Sequence, residues 1–229
     1  MTSVIVFGKG NSILRSNKDY VETFDRKAII NFPYIHGYEK YISNKFDYHF
    51  CMTYGHLEYF FRNKNINQQD YDYYINNKLK ISHIFNIGNH TKLTINNLLK
   101  DKNIKYDLSF RRTMMNKKKY SWFPPSGIIV IDYFIDCGYK HISLVGYDFY
   151  SDVNPNISNK KNKLIQSYYY LNSGNFNCAE NCMGINTHHP EKQVEYFIKK
   201  VKENPTIRFD IITNYKGLSE LTNLHKIIL

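Results

Sequence analysis

The chain has 229 residues, a hydrophobic fraction of 42% and a formal net charge of +11. This length predicts one domain with a sizeable core, or one domain with a small lid. The basic residues are dispersed and accompany no recognised nucleic-acid motif, so we expect no nucleic-acid partner and keep a basic nucleic-acid-binding module only as an alternative. Because neither a signal peptide nor an apolar run of membrane-spanning length is evident, the sequence predicts a cytoplasmic protein, with peripheral membrane contact left open.

The first predicted strand, Val4 to Phe7, runs into a glycine-rich turn. This turn reads GKGNS and contains Gly8, Gly10, Asn11 and Ser12. Glycines after a first strand allow backbone N–H groups to face a phosphate or a base. The turn lacks the third glycine of a dinucleotide fingerprint and the Gly-Lys-Ser/Thr ending of a P-loop, which disfavours NAD-binding and ATPase functions.

Further short apolar runs predict additional strands in the first half of the chain. The run from Ala28 to Ile30 ends at Asn31, the run from Phe46 to Met52 predicts a third strand, and Ile81 to Ile87 predicts a fourth. An asparagine at a strand end can bind a base or a ribose, but it is also an ordinary turn residue. The residues alone leave both interpretations of Asn31 open.

A proline-rich turn opens the next predicted helix. Pro125, Ser126 and Gly127 belong to the segment PPSG, in which proline fixes φ and glycine lets a ligand approach the backbone. Ser126 is a favourable N-cap for the apolar run that follows, and Gly138 is placed to end the helix. The start of this helix is therefore a predicted anion-binding position.

The strand after this helix, His141 to Gly146, leads into Asp148 and Tyr150. Ligands of open α/β sheets bind beyond the carboxyl ends of the strands, so we expect both side chains to lie at the binding site. Residues 151–184 predict a lid-like insertion into a single α/β domain formed by residues 1–150 and 185–229.

A histidine pair, His188 and His189, stands directly before Pro190 and a helix with apolar residues at helical spacing. The positive end of a helix dipole disfavours the imidazolium form and keeps the ring neutral, as a general base requires. His189 is the preferred candidate base and His188 the second, and a surface histidine pair is the alternative. The spacing of Cys178 and Cys182 matches no strong zinc pattern, so we expect no metal.

The end of the chain predicts one more strand, Ile207 to Ile212, and a closing helix near Leu218 to Leu224. Strands and helices alternate along the chain, which predicts an α/β fold with a Rossmann-like, mainly parallel sheet and helices on both faces.

The segments GKGNS, PPSG, GYKHISLVGYDFY and HHP, in this order, resemble motifs of the sialyltransferases. The similarity is closest to the bacterial type (glycosyltransferase family 42), with motif similarity to the animal type (family 29). It covers most of the chain outside residues 57–120. The resemblance implies a GT-A-like variant of the Rossmann-like fold with a small lid.

The resemblance also implies a metal-independent, inverting transfer of sialic acid or a related nonulosonic acid from a CMP-sugar donor to a hydroxyl of a glycan or glycolipid acceptor. His189, with His188 as the alternative, is then the general base, and no cofactor is expected. Tyr168, Tyr169 and Tyr170 are equivalent candidates for a second phosphate-binding tyrosine. The implied substrate-binding residues are Gly8, Gly10, Asn11, Ser12, Asn31, Pro125, Ser126, Gly127, Asp148, Tyr150, Tyr168 and Tyr169.

Two positions depart from the family pattern. Lys9 stands where asparagine is usual, and Phe123 stands where an arginine often precedes the serine–glycine turn. These departures keep a second alternative in view, a CMP-sugar-binding protein without transferase activity.

Overall fold

The structure, a computed structural model, describes residues 2–31, 35–53, 83–86, 126–149 and 190–229. Within these ranges, seven strands form one sheet in which every pair of neighbouring strands is parallel. The strands are β1 (Ser3–Phe7), β2 (Arg26–Ile30), β3 (Tyr48–Thr53), β4 (His83–Asn86), β5 (His141–Val145), β6 (Arg208–Ile212) and β7 (Leu224–Lys226).

The helices of the described ranges lie before and after these strands. A 3-10 helix (Asn11–Arg15) and α1 (Lys18–Glu22) follow β1, α2 (Ser126–Asp136) precedes β5, and α3 (Pro190–Glu203) precedes β6. None of the helices in the described part is long and apolar enough to cross a membrane.

Side chains of the central strand alternate between two cores. Val4 and Val6 lie in one apolar cluster, whereas Ile5 and Phe7 lie in the other, and all four are fully buried. Since strands buried on both faces need cover on both, helices pack on each side of the sheet. The first face is covered by α2 and α3 through Ile128, Val130, Phe134, Phe197 and Val201, and the second by the 3-10 helix and α1 through Ile13 and Val21.

The C-terminal end of α2 is closed by Gly138, as predicted. Its φ is +80°, its N–H donates to Ile135 O at 2.9 Å, and the Tyr139 N–H donates to Phe134 O at 3.1 Å. These two bonds form a Schellman motif, which requires a left-handed residue that glycine adopts without strain. The rings of Phe134 and Tyr139 are 5.0 Å apart and supply the apolar contact that accompanies the motif.

The predicted fold class, a Rossmann-like parallel sheet with helices on both faces, is confirmed, and each predicted strand is present with shifted ends. Ser126 is the first residue of α2 rather than the residue before the helix. The predicted lid, residues 151–184, lies outside the described residues.

The predicted closing helix near Leu218 to Leu224 is wrong. This segment is not helical: it is irregular up to residue 220, turns at residues 222 and 223, and ends in β7, which pairs with β6 at the sheet edge. Asn223 holds it there: its carbonyl accepts from Phe209 N at 2.8 Å, and its side-chain amide donates to Val201 O at 3.0 Å. These bonds to the neighbouring strand and helix outweigh the helical spacing of the leucines.

A buried polar cluster closes the amino edge of the sheet. Asp210 is 1% exposed, and its carboxylate lies 2.7 Å from His141 Nε2 and accepts from Arg208 Nε at 2.9 Å and from the Tyr20 hydroxyl at 3.2 Å. Burial raises the pKa of Asp210, but the bonds from His141 and Arg208 outweigh burial and hold it below its ordinary value. The cluster ties the starts of β5 and β6 to α1, at the edge opposite the loops that follow the strands.

Candidate functional site

The strand order, β4-β3-β2-β1-β5-β6-β7, contains one switch point, between β1 and β5. From β1 the chain builds outward through β2 to β4 on one side, and from β5 it builds outward through β7 on the other. The segments after β1 and β5 therefore lead to helices on opposite faces of the sheet, and at such a point open α/β sheets have a ligand-binding crevice at the carboxyl edge. Ligands of open α/β sheets bind at this position. We call this part of the molecule the switch-point edge.

The glycines of the GKGNS turn are required by close packing against the turn after β5. Gly8 N donates to Val145 O at 2.8 Å, and Gly10 N donates to Gly146 O at 2.9 Å. A Cβ atom on Gly8 would lie 2.5 Å from Gly146 O. These two N–H groups therefore bond within the protein, and the predicted ligand contacts of Gly8 and Gly10 stay predictions.

Asp148 joins the loops that follow β1, β5 and β6. Its side chain is buried, with 4% exposure. Oδ2 accepts from Ser12 N at 2.8 Å, and Oδ1 accepts from Asn214 N at 2.8 Å and lies 3.2 Å from Thr213 Oγ1. The Ser12 hydroxyl adds a bond to Ile212 O at 3.0 Å. Asp148 thus holds the crevice walls together, and its predicted contact with a ribose stays a prediction.

Tyr147 docks the start of α2 against this edge. Its hydroxyl lies 3.4 Å from Gly127 O, and a Cβ atom on Gly127 would lie 2.7 Å from a carbon of its ring. Burial raises the pKa of Tyr147, so the phenol stays neutral. The contact brings Ser126 and Gly127, at the positive end of an eleven-residue helix, to the same edge as the loops after β1 and β5.

Two residues other than glycine have a positive φ in the described ranges, and both lie just after strands at this edge. Asn31 follows β2 with φ of 58°, and Phe149 follows β5 with φ of 50°. This left-handed conformation costs most L-residues, such as Phe149, about 1–2 kcal/mol, whereas asparagine adopts it more readily. Such strain clusters at functional sites, so its presence at this edge supports a binding role.

His49 of β3 fixes the conformation of Asn31. The ring of His49 is 1% exposed, and its Nε2 donates to Asn31 O, while Asn31 N donates to Phe50 O at 2.7 Å. Burial lowers the pKa of His49 to about 4; the bond to Asn31 opposes this shift and the charge of Lys9 adds to it. His49 is therefore neutral at physiological pH. It holds the backbone of Asn31, the residue predicted to contact a nucleotide.

The structure brings together Gly8, Gly10, Asn11, Ser12, Asn31, Ser126, Gly127 and Asp148 at the switch-point edge. The remaining predicted site residues lie outside the described ranges: Pro125, Tyr150, Tyr168, Tyr169, His188 and His189. The helix predicted after His189 is confirmed as α3, which begins at Pro190.

The sequence interpretation missed three residues that shape this edge: His49, Tyr147 and Thr213. Thr213 follows the apolar run of β6 directly, and a polar residue after a buried strand is a signal that could have identified it. His49 gives no such signal, because an apolar strand with one histidine is typical of a core. In the described ranges, no three His, Cys, Asp or Glu side chains are arranged to hold a metal ion.

Comparison with known proteins shows what the fold is similar to. No family model matches the chain, and no curated protein matches it by sequence. Among solved structures, it is similar to the monofunctional alpha-2,3-sialyltransferase Cst-I from Campylobacter jejuni, with a TM-score of 0.52, 16% identity, and coverage of 100% of this chain and 84% of that chain. It is also similar to a variant of the sialyltransferase CST-II in complex with CMP, with a TM-score of 0.50, 16% identity, and coverage of 99% and 90%.

At this identity the likeness establishes the fold. The chain has the fold of these sialyltransferases, which confirms at the level of architecture the resemblance that the motifs indicated. The alignments cover nearly the whole of this chain.

Adding a methyl group at Gly10 should disturb this edge through Asp148. A Cβ atom there would lie 2.3 Å from Asp148 Oδ2, so we expect Gly10→Ala to cost about 1–3 kcal/mol of unfolding free energy in urea denaturation. Gly10 has φ of −68°, so the cost is steric rather than conformational. The same substitution should cost less in an Asp148→Ala background, and equal costs in both backgrounds would contradict this explanation.

Stability should fall in weak acid because of His49. Its pKa is about 4 in the folded protein against an ordinary 6.5, so between these values the unfolded chain binds a proton that the folded chain does not. The contribution of His49 to the free energy of unfolding is complete above pH 6.5. It is lost as pH falls towards 4, by up to about 1.4 kcal/mol per pH unit. His49→Gln keeps a donor for Asn31 without titrating, so its unfolding free energy should depend less on pH in this window. An unchanged pH dependence would count against the assignment.

Proposed function

We propose that the protein transfers sialic acid, or a related nonulosonic acid, from a CMP-sugar donor to a hydroxyl of a glycan or glycolipid acceptor, with inversion at the anomeric carbon. The observation that carries the proposal is that the switch-point edge occurs in a chain with the fold of known sialyltransferases. Loops after β1 and β5 and the start of α2 meet where α/β enzymes bind nucleotides, in a chain with the fold of two sialyltransferases, one of them in complex with CMP.

The start of α2 is the proposed site for the donor phosphate. Its first N–H groups have no partner inside the helix, and the helix dipole favours an anion there. Ser126 and Gly127 would supply these N–H groups, and Asn31 would bind the nucleoside on the other side of the crevice. The hydroxyls of Tyr150 and of Tyr168 or Tyr169 would stabilise the charge that develops on the leaving CMP.

The proposed base is His189, with His188 as the second candidate. α3 runs back along the sheet to reach the amino end of β6, so its start lies towards the carboxyl edge. The dipole at this start disfavours imidazolium, so a ring there is neutral and accepts the acceptor's proton as that oxygen attacks the anomeric carbon. One displacement step inverts the configuration, and the proposal includes neither a metal nor a cofactor.

Nucleotide binding is the first test. We expect CMP or CDP, at about a hundred times its dissociation constant, to stabilise the protein by about 2.7 kcal/mol and to raise the melting temperature by several degrees. The shift should be the same with EDTA, and UDP, GDP and ATP should give none. A shift with UDP or GDP that requires a divalent metal would overturn the proposed donor class.

Replacing the base separates chemistry from binding. We expect His189→Ala to lower kcat for transfer from a CMP-sugar on the order of 100-fold or more, with the CMP-dependent melting shift unchanged. His188→Ala is the matched control and should retain most of the activity. The reverse result would assign the base to His188, whereas full activity of both variants would remove the histidine pair from the mechanism. CMP binding without any turnover of the native protein would instead favour a binding protein.

A further inference from the structure

The helices α2 and α3 run side by side on one face of the sheet. Each is followed by a short connection to β5 or β6, which are parallel neighbours, so both helices run in the same direction. Phe134 of α2 and Phe197 of α3 are fully buried in the same apolar cluster. The starts of the two helices therefore lie towards the same edge of the sheet, the one that contains the proposed site.

A polar contact lies inside this apolar interface. The Tyr196 hydroxyl donates to Asp132 Oδ2 at 2.7 Å, and Asp132 is 1% exposed. Lys200 Nζ lies 3.8 Å from Asp132 Oδ1 and 5.3 Å from the centre of the Tyr196 ring. A carboxylate is expensive to bury unless it is paired, so Asp132 strongly favours the arrangement in which Tyr196 and Lys200 reach it.

The contact joins residues at corresponding positions of the two helices. Asp132 is the seventh residue of α2, and Tyr196 is the seventh residue of α3. Seven residues of helix span about 10 Å, so each of the two residues lies about this far from the start of its own helix. A slip of α3 by one residue would move it about 1.5 Å and break a hydrogen bond of this length. Apolar contacts alone resist such a slip less, because they are not directional.

We propose that Tyr196 and Asp132 form a positioning pair that fixes the start of α3 relative to Ser126 along the helix axes. This inference rests on the proposed function, in which α2 binds the donor phosphate and the histidine directly before α3 takes the acceptor proton. The pair fixes the distance between these two parts of the reaction without touching either substrate. Displacement of a reacting group by about 1 Å can cost on the order of 100-fold in rate.

The matched test removes one tyrosine hydroxyl at each of two separate sites around the same apolar cluster. Tyr196→Phe breaks the bond to Asp132, whereas Tyr139→Phe breaks the 3.0 Å bond to Tyr48 and lies next to the amino end of β5. Both should lower the melting temperature, and Tyr196→Phe should lower it more because it removes a donor from a buried carboxylate. Only Tyr196→Phe should lower kcat, by about tenfold or more, with KM for the CMP-sugar unchanged. Asp132→Asn keeps an acceptor for the hydroxyl and should retain more of kcat than Tyr196→Phe.

Equal kcat losses in Tyr196→Phe and Tyr139→Phe, or none in Tyr196→Phe, would overturn the positioning role. Hydrogen exchange provides a readout that does not need activity. Amides of residues 194–197, in the first turns of α3, should exchange faster in Tyr196→Phe than in Tyr139→Phe, and equal exchange would also overturn the inference. If the native protein shows neither a CMP-dependent melting shift nor transfer, the proposed function fails, while the exchange result still decides whether the pair holds α3.

Discussion

One buried carboxylate organises the carboxyl edge of the sheet. Asp148 receives backbone N–H groups from Ser12 and Asn214, so a single side chain ties together the loops after three adjacent strands. Charge-assisted bonds of this kind are about twice as strong as neutral ones, and breaking one would leave a charge buried without its donor. The positions of the loops after β1 and β6 therefore depend on Asp148 more than on their own short sequences.

The loops at this edge satisfy each other's backbone hydrogen-bonding groups. The N–H groups of Gly8 and Gly10 donate to the backbone at the end of β5 and just after it, and the ring of Tyr147 fills the space beside Gly127. The hydrogen bonds of these loops are complete without a ligand, so the loops are preorganised. Binding of a ligand at this edge would then cost little free energy for ordering them. In the proposed function, recognition of the donor then involves the start of α2 and Asn31.

Local patterns predicted much of the fold because the central strands are buried on both faces. Val4 to Phe7 reads as a strand for that reason, and Gly138 ends α2 through chemistry that lies within a few residues of chain. The closing helix failed because Asn223 bonds to chain far from it in sequence. Asp148 was correctly placed at the edge from its position after a strand, but nothing local could show that its partners are Ser12 and Asn214.

The bond between Ser12 and Asp148 joins residues 136 positions apart, and the bond from Asn214 adds a third segment from near the end of the chain. Contacts between such distant residues require large loops to close, which makes them late and slow events in folding. The switch-point edge is therefore incomplete in a chain that has built β1 to β5 but not β6, because Asp148 then lacks the N–H group that Asn214 donates. During synthesis, this edge of the sheet is therefore completed only after β6 and the loop that contains Asn214 have joined the strands before them.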